Sequence, residues 1–188
     1  MVDGEMTSRP MERWREAKRP GTRLAGSYGH PLHPLLVPVP IGAWLASLVF
    51  DVGSHAGGPA RSLYVGSCWL IGIGVVVALA ATVLGYLDLL RVPAGTAVFR
   101  IGLMHMALSL VTITLYIADF LLRWAWRPAA QGVQPGLIVL SAVAFSVMAV
   151  AGWLGGKLAY RYGVRVVDES AQLDGYGDQS QPGGVRTR

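Results

Sequence analysis

Two histidines at the start of an apolar stretch are the residues best suited to bind a metal or a cofactor. His30 and His33 alternate with prolines in residues 30–40, which lead directly into the apolar residues 41–50. Histidine is costly at the boundary of a bilayer, and proline removes backbone donors from a helix, so neighbouring segments must support this entry. A His-x-x-His spacing can chelate a metal if the turn between the rings brings them together. The alternative is that the two histidines cap the helix and anchor it at the interface.

A third histidine, His105, lies inside a later apolar segment. It begins a polar stripe on one helical face, which should point into a bundle. The stripe consists of His105, Ser109, Thr112, Tyr116 and Asp119. His105 could hydrogen-bond to a neighbouring helix, ligate a metal or haem, or contact a proton or a quinone. If the segment before the first helix folds inward, His33 and His30 come within its reach.

Asp88 is a carboxylate at the end of the second apolar segment. If residues 91–96 mark the membrane surface, Asp88 lies about 4 Å inside it and His105 about 13 Å inside. Arg100 lies near the level of Asp88, and intramembrane charges usually find a partner, so we expect an ion pair between them. Asp88 also joins the three histidines as a candidate metal ligand. It ends a face of small residues that lets another helix approach closely: Gly74, Ala78, Ala81 and Gly85.

Asp51 and His55 stand four residues apart near the opposite membrane surface. They would form a pair on one helical face if the helix persisted, but Gly53 lies between them. We therefore expect an ordinary surface pair or a helix-end contact at this place, rather than a site.

The elements that must position these residues are membrane helices. The 188 residues are 53% hydrophobic and only 14% charged, too apolar for an ordinary soluble domain. About 20 apolar residues cross a bilayer as a helix. Four segments approach or exceed that length, at about 35–52, 63–90, 97–122 and 137–160, and the links between them are short. The sequence therefore predicts an all-α integral membrane protein, a four-helix bundle with antiparallel neighbours.

The first of these spans is short. The first turn of a helix tolerates proline because its amides lack partners anyway, so Pro38 and Pro40 predict that the helix begins near Leu36 or Val37. Up to Gly53 it then measures about 25 Å, which barely spans a hydrocarbon core of about 30 Å. The residues just before the helix are expected to dip below the headgroups.

The basic residues predict the orientation. Of the 16 Lys and Arg residues, all but Arg61, Arg123 and Arg127 fall on the side of the chain termini. The positive-inside rule then puts both termini in the cytoplasm, and the protein in the inner (plasma) membrane in multiple passes. We expect a basic cytoplasmic segment at 1–27, the transmembrane domain at 28–166 and a disordered cytoplasmic tail at 167–188.

Several classes of site are excluded. The single cysteine, Cys68, rules out an intrachain disulfide framework, a four-cysteine zinc site and a cysteine-ligated iron–sulfur cluster. The sequence has no nucleophile and base arrangement, no phosphate loop and no zinc-protease motif, so we do not expect an enzyme of the soluble type. The net charge of +5 does not indicate nucleic-acid binding, because acids dilute the basic N-terminal segment and no aromatic ladder accompanies it.

Several of these segments together resemble a known family. They are the histidine–proline segment 29–42, Phe50 with Asp51, residues 85–88, His105 after Arg100, and residues 155–164. Over most of residues 28–166 the chain resembles the bacterial membrane proteins grouped as domain of unknown function 2231. The resemblance implies four membrane helices and no established activity. Some relatives look like fusions to Rieske-type iron–sulfur domains, which implies redox company, although this chain has no cysteine ligands for such a cluster.

Three hypotheses of function follow. In the first, His33 and His105 bind a cofactor in the cytoplasmic half, with His30 and Asp88 as further metal ligands. The cofactor would be a b-type haem or a divalent metal that serves membrane redox chemistry. In the second, the protein is a cofactor-free scaffold or accessory subunit of a membrane complex. The third and weaker hypothesis is transport of a small solute or a proton. The expected partners are the lipid bilayer and a redox or other membrane complex, with a homo-oligomer left open.

Overall fold

The structure, a computed structural model, describes residues 3–125 and 132–176, and it consists there almost entirely of helices. The helices are α1 Asp3–Lys18, α2 Leu32–Leu36, α3 Pro38–Gly53, α4 Ala60–Leu89, α5 Ala97–Ala125, α6 Pro135–Gly156 and α7 Glu169–Leu173. A π-helical turn, Lys157–Arg161, continues α6, and 3-10 turns lie at Arg23–Ala25 and Asp174–Tyr176. Two short antiparallel strands, β1 Gly26–Ser27 and β2 His30–Pro31, precede α2. Arg127 and the end of the predicted tail, from residue 177 onwards, lie outside the described residues.

Within the described ranges, four helical stretches are long and apolar enough to cross a membrane. They are Leu32–Gly53, formed by α2 and α3 together, Ala60–Leu89, Ala97–Ala125 and Pro135–Arg161. Large apolar side chains on these stretches remain more than half exposed, among them Val49, Val76 and Val139. Such side chains suit a surface that faces lipid. The predicted all-α membrane bundle of four helices is thereby confirmed, while its orientation in the membrane stays a prediction.

Because consecutive spans run antiparallel, the bundle has two ends. The termini end is where α2 and α5 begin and where α4 and α6 end. The opposite end is where α3 and α5 end and where α4 and α6 begin. At the termini end, His33 contacts Ala81 late in α4. At the opposite end, Asp51 contacts Ser67 early in α4.

An aromatic stack separates the two ends. The rings of Trp44 and Tyr116 lie nearly parallel, with centroids 4.1 Å apart and planes at 11°. They belong to a buried core with Ile71, Ala78, Ile113 and Ala144. A Cβ at Gly74 would collide with the indole nitrogen of Trp44. The small-residue face predicted for α4 therefore lets the indole of the first span pack directly against the α4 backbone.

The first span begins earlier than its prolines predicted. α2 starts at Leu32 rather than near Leu36 or Val37, and Pro34 lies in the first turn, where a missing amide donor costs nothing. Proline has no N–H, so the chain breaks at Val37 and resumes as α3 at Pro38. The combined stretch of 22 residues measures about 33 Å, enough to cross the hydrocarbon core. The earlier start brings His33 inside the bundle.

The chain after α6 folds back against the N-terminal helix. The amide of Arg165 donates to the carbonyl oxygen of Ala17 at 3.1 Å. The hydroxyl of Tyr28 donates to Asp168 at 2.9 Å, which holds the pKa of that carboxyl below its ordinary value. Residues 167–176, the first part of the predicted disordered tail, thus carry structure that includes α7, because these contacts tie them to the N-terminal segment.

Candidate functional site

His33 of α2 and His105 of α5 meet in the half of the bundle nearer the termini. Their ring centroids lie 6.3 Å apart, and the ring planes stand at 85° to each other. The entry segment folds inward, which is the condition that this contact requires. Two imidazoles from different spans therefore come close enough to act on one ligand.

Each imidazole is held by a neighbouring helix in the same manner. The Nδ1 atom of His33 lies 2.7 Å from the carbonyl oxygen of Ala81, and Nδ1 of His105 lies 2.7 Å from that of Ala151. Since a carbonyl oxygen can only accept, each Nδ1 carries the hydrogen and donates it. Each Nε2 then keeps its lone pair, which is the form of histidine that binds metals.

A glycine makes each of these two contacts sterically possible. Gly85 lies one helical turn after Ala81, and Gly155 lies one turn after Ala151. A Cβ at Gly85 would lie 3.0 Å from Cε1 of His33, and one at Gly155 would lie 3.1 Å from Cε1 of His105. Both distances are tighter than ordinary contact, so a side chain at either position would press on the ring, whereas glycine leaves it room.

A cavity of about 200 Å³, partly open, lies beside the two rings. All four spans line it, mostly with apolar or small residues. Its hydroxyl groups already donate within their own helices, such as Thr82 to Ala78 and Ser109 to His105. Neither Nε2 atom of the two histidines makes a hydrogen bond with any residue that the structure describes. The groups left to bind a ligand are thus the imidazoles and a charged pair, Asp88 and Arg165.

The ion pair of Asp88 differs from the prediction. Nε of Arg165 lies 2.8 Å from Oδ1 of Asp88, although its N–H direction does not form a proper hydrogen bond with that oxygen. Arg100, the predicted partner, has an exposed side chain. The reason is the returning segment after α6, which brings Arg165 under the end of α4 and leaves Arg100 at the surface.

The four predicted metal ligands do not come together. His30 lies on β2 with its backbone paired to Ser27, and its side chain is exposed. The extended backbone at Pro31 separates that strand from α2, which carries His33 inward. Over residues 3–125 and 132–176, no group of three or more His, Cys, Asp or Glu side chains could hold a metal ion. His33 and His105 are the two that meet.

A second polar cluster, which was not predicted from the sequence, lies at the opposite end. Arg123 is only 1% exposed, and Asp51 and Asp119 are fully buried. The two Nη atoms of Arg123 donate to the two carboxylate oxygens of Asp51, each at 2.8 Å. Its Nε donates to Oδ1 of Asp119 at 2.9 Å. One guanidinium thus lies between two carboxylates.

Two serines complete this cluster. Ser67 donates to Oδ1 of Asp51 at 2.6 Å, and Ser141 donates to Oδ2 of Asp119 at 2.5 Å. The Nη atoms of Arg123 also donate to the two serine oxygens, at 3.2 and 3.1 Å. We call Asp51, Ser67, Asp119, Arg123 and Ser141 the arginine network. It joins all four spans, and each of its charged groups is hydrogen-bonded to another member of the network.

The arginine network differs from what was expected for Asp51. Asp51 is not in a surface pair with His55, because α3 ends at Gly53 and His55 instead donates through Nε2 to the carbonyl of Val133 at 2.5 Å. The four-residue spacing of Asp119 and Arg123 on one helical face was the signal that could have indicated a buried pair. The partnership with Asp51 joins residues distant in sequence and carries no local pattern.

A family model described as predicted membrane protein (DUF2231) matches residues 29–168. That range contains both histidines of the cavity, the Asp88–Arg165 pair and the arginine network. Neither a curated protein nor a solved structure matches the chain.

Proposed function

The chain belongs to the DUF2231 family of predicted membrane proteins, and we propose that it is a multi-pass membrane redox protein that holds a b-type haem between His33 and His105. The observation that carries this proposal is the pair of imidazoles beside one apolar cavity, each with its Nδ1 hydrogen on a backbone carbonyl. A hydrogen bond of this kind is the usual support of a metal-binding histidine, because it directs the Nε2 lone pair and strengthens it.

The distance between the rings suits two ligands on opposite sides of one metal. A metal–nitrogen bond of about 2 Å, plus about 1 Å from the nitrogen to the ring centre, puts two opposed centroids roughly 6 Å apart. The centroids of His33 and His105 are 6.3 Å apart. The spacing of the two rings is therefore the one that a single iron held by both imidazoles would require.

A haem fits this donor set better than a bare ion does. A bare zinc or copper ion takes four or more protein or water ligands, and the described residues offer two imidazoles without a third donor beside them. A porphyrin supplies the four remaining nitrogens itself, and axial histidine is a common haem ligand. Small and apolar side chains line the partly open cavity and would suit the flat macrocycle.

The charge asymmetry of the chain supports a location for the haem. It would lie in the cytoplasmic half of the inner membrane, where a quinone or another redox protein of a membrane complex could exchange electrons with it. A bis-histidine haem leaves no open position on the iron, so electron transfer is the expected role rather than chemistry on a substrate.

The test is the absorption spectrum and metal content of the protein purified in mild detergent. We expect near-stoichiometric iron and the spectrum of a low-spin bis-histidine haem, lost in His33→Ala and in His105→Ala. His30→Ala and His55→Ala are matched controls, since those histidines lie outside the cavity, and they should keep the spectrum. Protein that stays free of haem after reconstitution with hemin would contradict the proposal, and zinc or copper in its place would indicate a bare metal site.

The second candidate is a cofactor-free scaffold or accessory subunit, and the arginine network favours it. Four spans joined by buried charges make a rigid bundle, and the Nδ1 contacts of the two histidines also link helices. On this hypothesis His105→Ala lowers stability without releasing any bound species. Transport along the polar stripe of α5 has less support, because the stack of Trp44 on Tyr116 lies across it.

A further inference from the structure

Arg165 occupies an unusual position beside the cavity. It is 6% exposed, it lines the cavity, and its amide is held by the carbonyl of Ala17. Its φ is 61°, and among the described residues it is the only one other than glycine with a positive φ. A long side chain in the left-handed region costs about 1 kcal/mol or more, so the surrounding structure must hold it there. Strain of this kind is typical of residues that bind ligands.

The guanidinium of Arg165 is only partly satisfied. Its Nη2 donates to the carbonyl oxygen of Ala25 at 2.8 Å, and its Nε faces Asp88 at 2.8 Å. Nη1 is buried and has no hydrogen-bond partner among the residues that the structure describes. A buried donor without a partner is costly, and a charged one costs more than a neutral one. Nη1 therefore carries donors without an acceptor, on a residue that lines an apolar cavity.

The other buried arginine of this bundle indicates what completes such a group. Arg123 lies between the carboxylates of Asp51 and Asp119 and uses Nε, Nη1 and Nη2. Arg165 has the carboxylate of Asp88 alone. A second acidic group on Nη1 would give Arg165 the arrangement that Arg123 has, and a carboxylate is the acceptor that a guanidinium binds best.

We propose that Arg165 binds a carboxylate of the molecule that occupies this cavity. This inference rests on the proposed function, because for a b-type haem the carboxylate is that of a propionate side chain. Propionates lie on one edge of the macrocycle, so a contact with Arg165 would set which edge faces the termini end. Arg165 would then be a specificity residue for the acidic edge, while His33 and His105 hold the iron.

The test compares two porphyrins that differ only at their carboxylates. The apoprotein is titrated with hemin and with hemin dimethyl ester, and affinity is read from the absorption of the bound bis-histidine form. We expect the wild-type chain to bind hemin about 10- to 100-fold more tightly than the ester, since a hydrogen bond to a charged group accounts for that range. In Arg165→Gln the difference should shrink to a few-fold or less.

Because esters also partition differently into detergent, the decisive quantity is the change in this ratio between chains. Arg161→Gln is the matched control, as Arg161 precedes Arg165 by four residues and is exposed. It should keep the wild-type ratio. If Arg165→Gln fails to fold, Arg165→Lys serves instead, because it keeps the charge but lacks Nη1, and it should reduce the ratio in part.

The outcomes separate the two proposals. Bis-histidine spectra for both porphyrins, with the same ratio in wild-type and Arg165→Gln protein, would overturn the role of Arg165 and leave the haem site intact. A wild-type chain that gives a bis-histidine spectrum with neither porphyrin would overturn the haem site and this inference with it. A ratio that falls in Arg165→Gln and not in Arg161→Gln supports both.

Discussion

The two ends of the bundle each bury an arginine beside carboxylates, but they satisfy it to different degrees. Arg123 donates to two carboxylates and two serines, and every charged group of the arginine network has partners within the network. Arg165 has one carboxylate, two nitrogens (Nε and Nη1) without a hydrogen-bond partner among the described residues, and a cavity beside it. Both arginines require burial of charge, which is expensive in a membrane protein. The complete cluster is suited to holding helices together, and the incomplete one is suited to binding.

The histidines at the two ends also differ in which groups are left without a partner. At the opposite end His55 uses Nε2 on the carbonyl of Val133, whereas His33 and His105 use Nδ1 and leave Nε2 to the cavity. The nitrogen that makes the structural contact decides which nitrogen can bind a ligand. The histidines at the two ends therefore differ in which ring nitrogen remains able to bind a ligand.

The largest expected effect comes from breaking the arginine network. Arg123→Met would leave two buried carboxylates without their cation and should lower the free energy of unfolding by about 3–5 kcal/mol, or prevent folding. Thermal denaturation in detergent measures this change. Arg61→Met is the matched control, because Arg61 is exposed near the same end, and it should change stability little. Equal melting temperatures for the two variants would refute the structural role of the network.

A smaller effect is expected from filling the space beside the histidines. Gly85→Ala puts a Cβ 3.0 Å from Cε1 of His33, which pushes the ring away from Ala81. Loss of the hydrogen bond that supports a metal-binding histidine typically weakens metal binding by about 10- to 100-fold. The affinity for haem should therefore fall by about 10-fold or more. A hemin titration measures it. Gly136→Ala, whose Cβ would meet nothing within 4 Å, should bind hemin as the wild type does.

Removing the carboxylate at the termini end should matter less for stability than removing one from the arginine network. Asp88→Asn breaks a single contact with Arg165 at a site next to a cavity, and we expect a loss of about 1–3 kcal/mol. Asp51→Asn disrupts a fully buried group bound by Arg123 and Ser67 and should cost about 3–5 kcal/mol. Denaturation curves of the two variants side by side test the order. The reverse order would contradict the assignment of the two ends.

The smallest effect concerns the contact between Tyr28 and Asp168. The hydrogen bond from Tyr28 lowers the pKa of Asp168, so the folded state favours the charged carboxylate. This stabilisation is present above the ordinary pKa of aspartate, about 3.9, and is lost as the pH falls through the lower folded value. The protection factors of residues 165–173, which correct the exchange rates for the slower intrinsic exchange of amides in acid, should therefore be lower at about pH 3 than at neutral pH. Tyr28→Phe should exchange faster at neutral pH as well, and unchanged protection in that variant would count against the contact.

Part of this architecture was predictable from the sequence because it depends on local patterns. Apolar segments of spanning length predict the four helices, and the 3.6-residue period of the α5 stripe predicts which side chains face inward. Thr112, Tyr116 and Asp119 of that stripe are indeed buried. The small-residue face of α4 likewise predicts close approach of another helix, and Trp44 and His33 do pack there.

Other features could not be predicted from local patterns, because they depend on contacts between segments that are far apart in the sequence. Pro38 and Pro40 suggested a late helix start, but packing of residues 32–36 against α4 supports an earlier one. Asp88 had a plausible neighbour in Arg100, whereas its partner Arg165 lies far away in the sequence.

The sequence by itself determined the helices, their order and the faces that turn inward, since each depends on residues a few positions apart. Tertiary structure alone decided the partners: His33 with His105, Asp88 with Arg165, and Asp51 with Arg123. The physical reason is that a helix brings together residues at fixed short spacings. Contacts between helices depend instead on rotation, depth and the return path of the chain, and small residues such as Gly85 and Gly155 set how closely those helices and side chains approach.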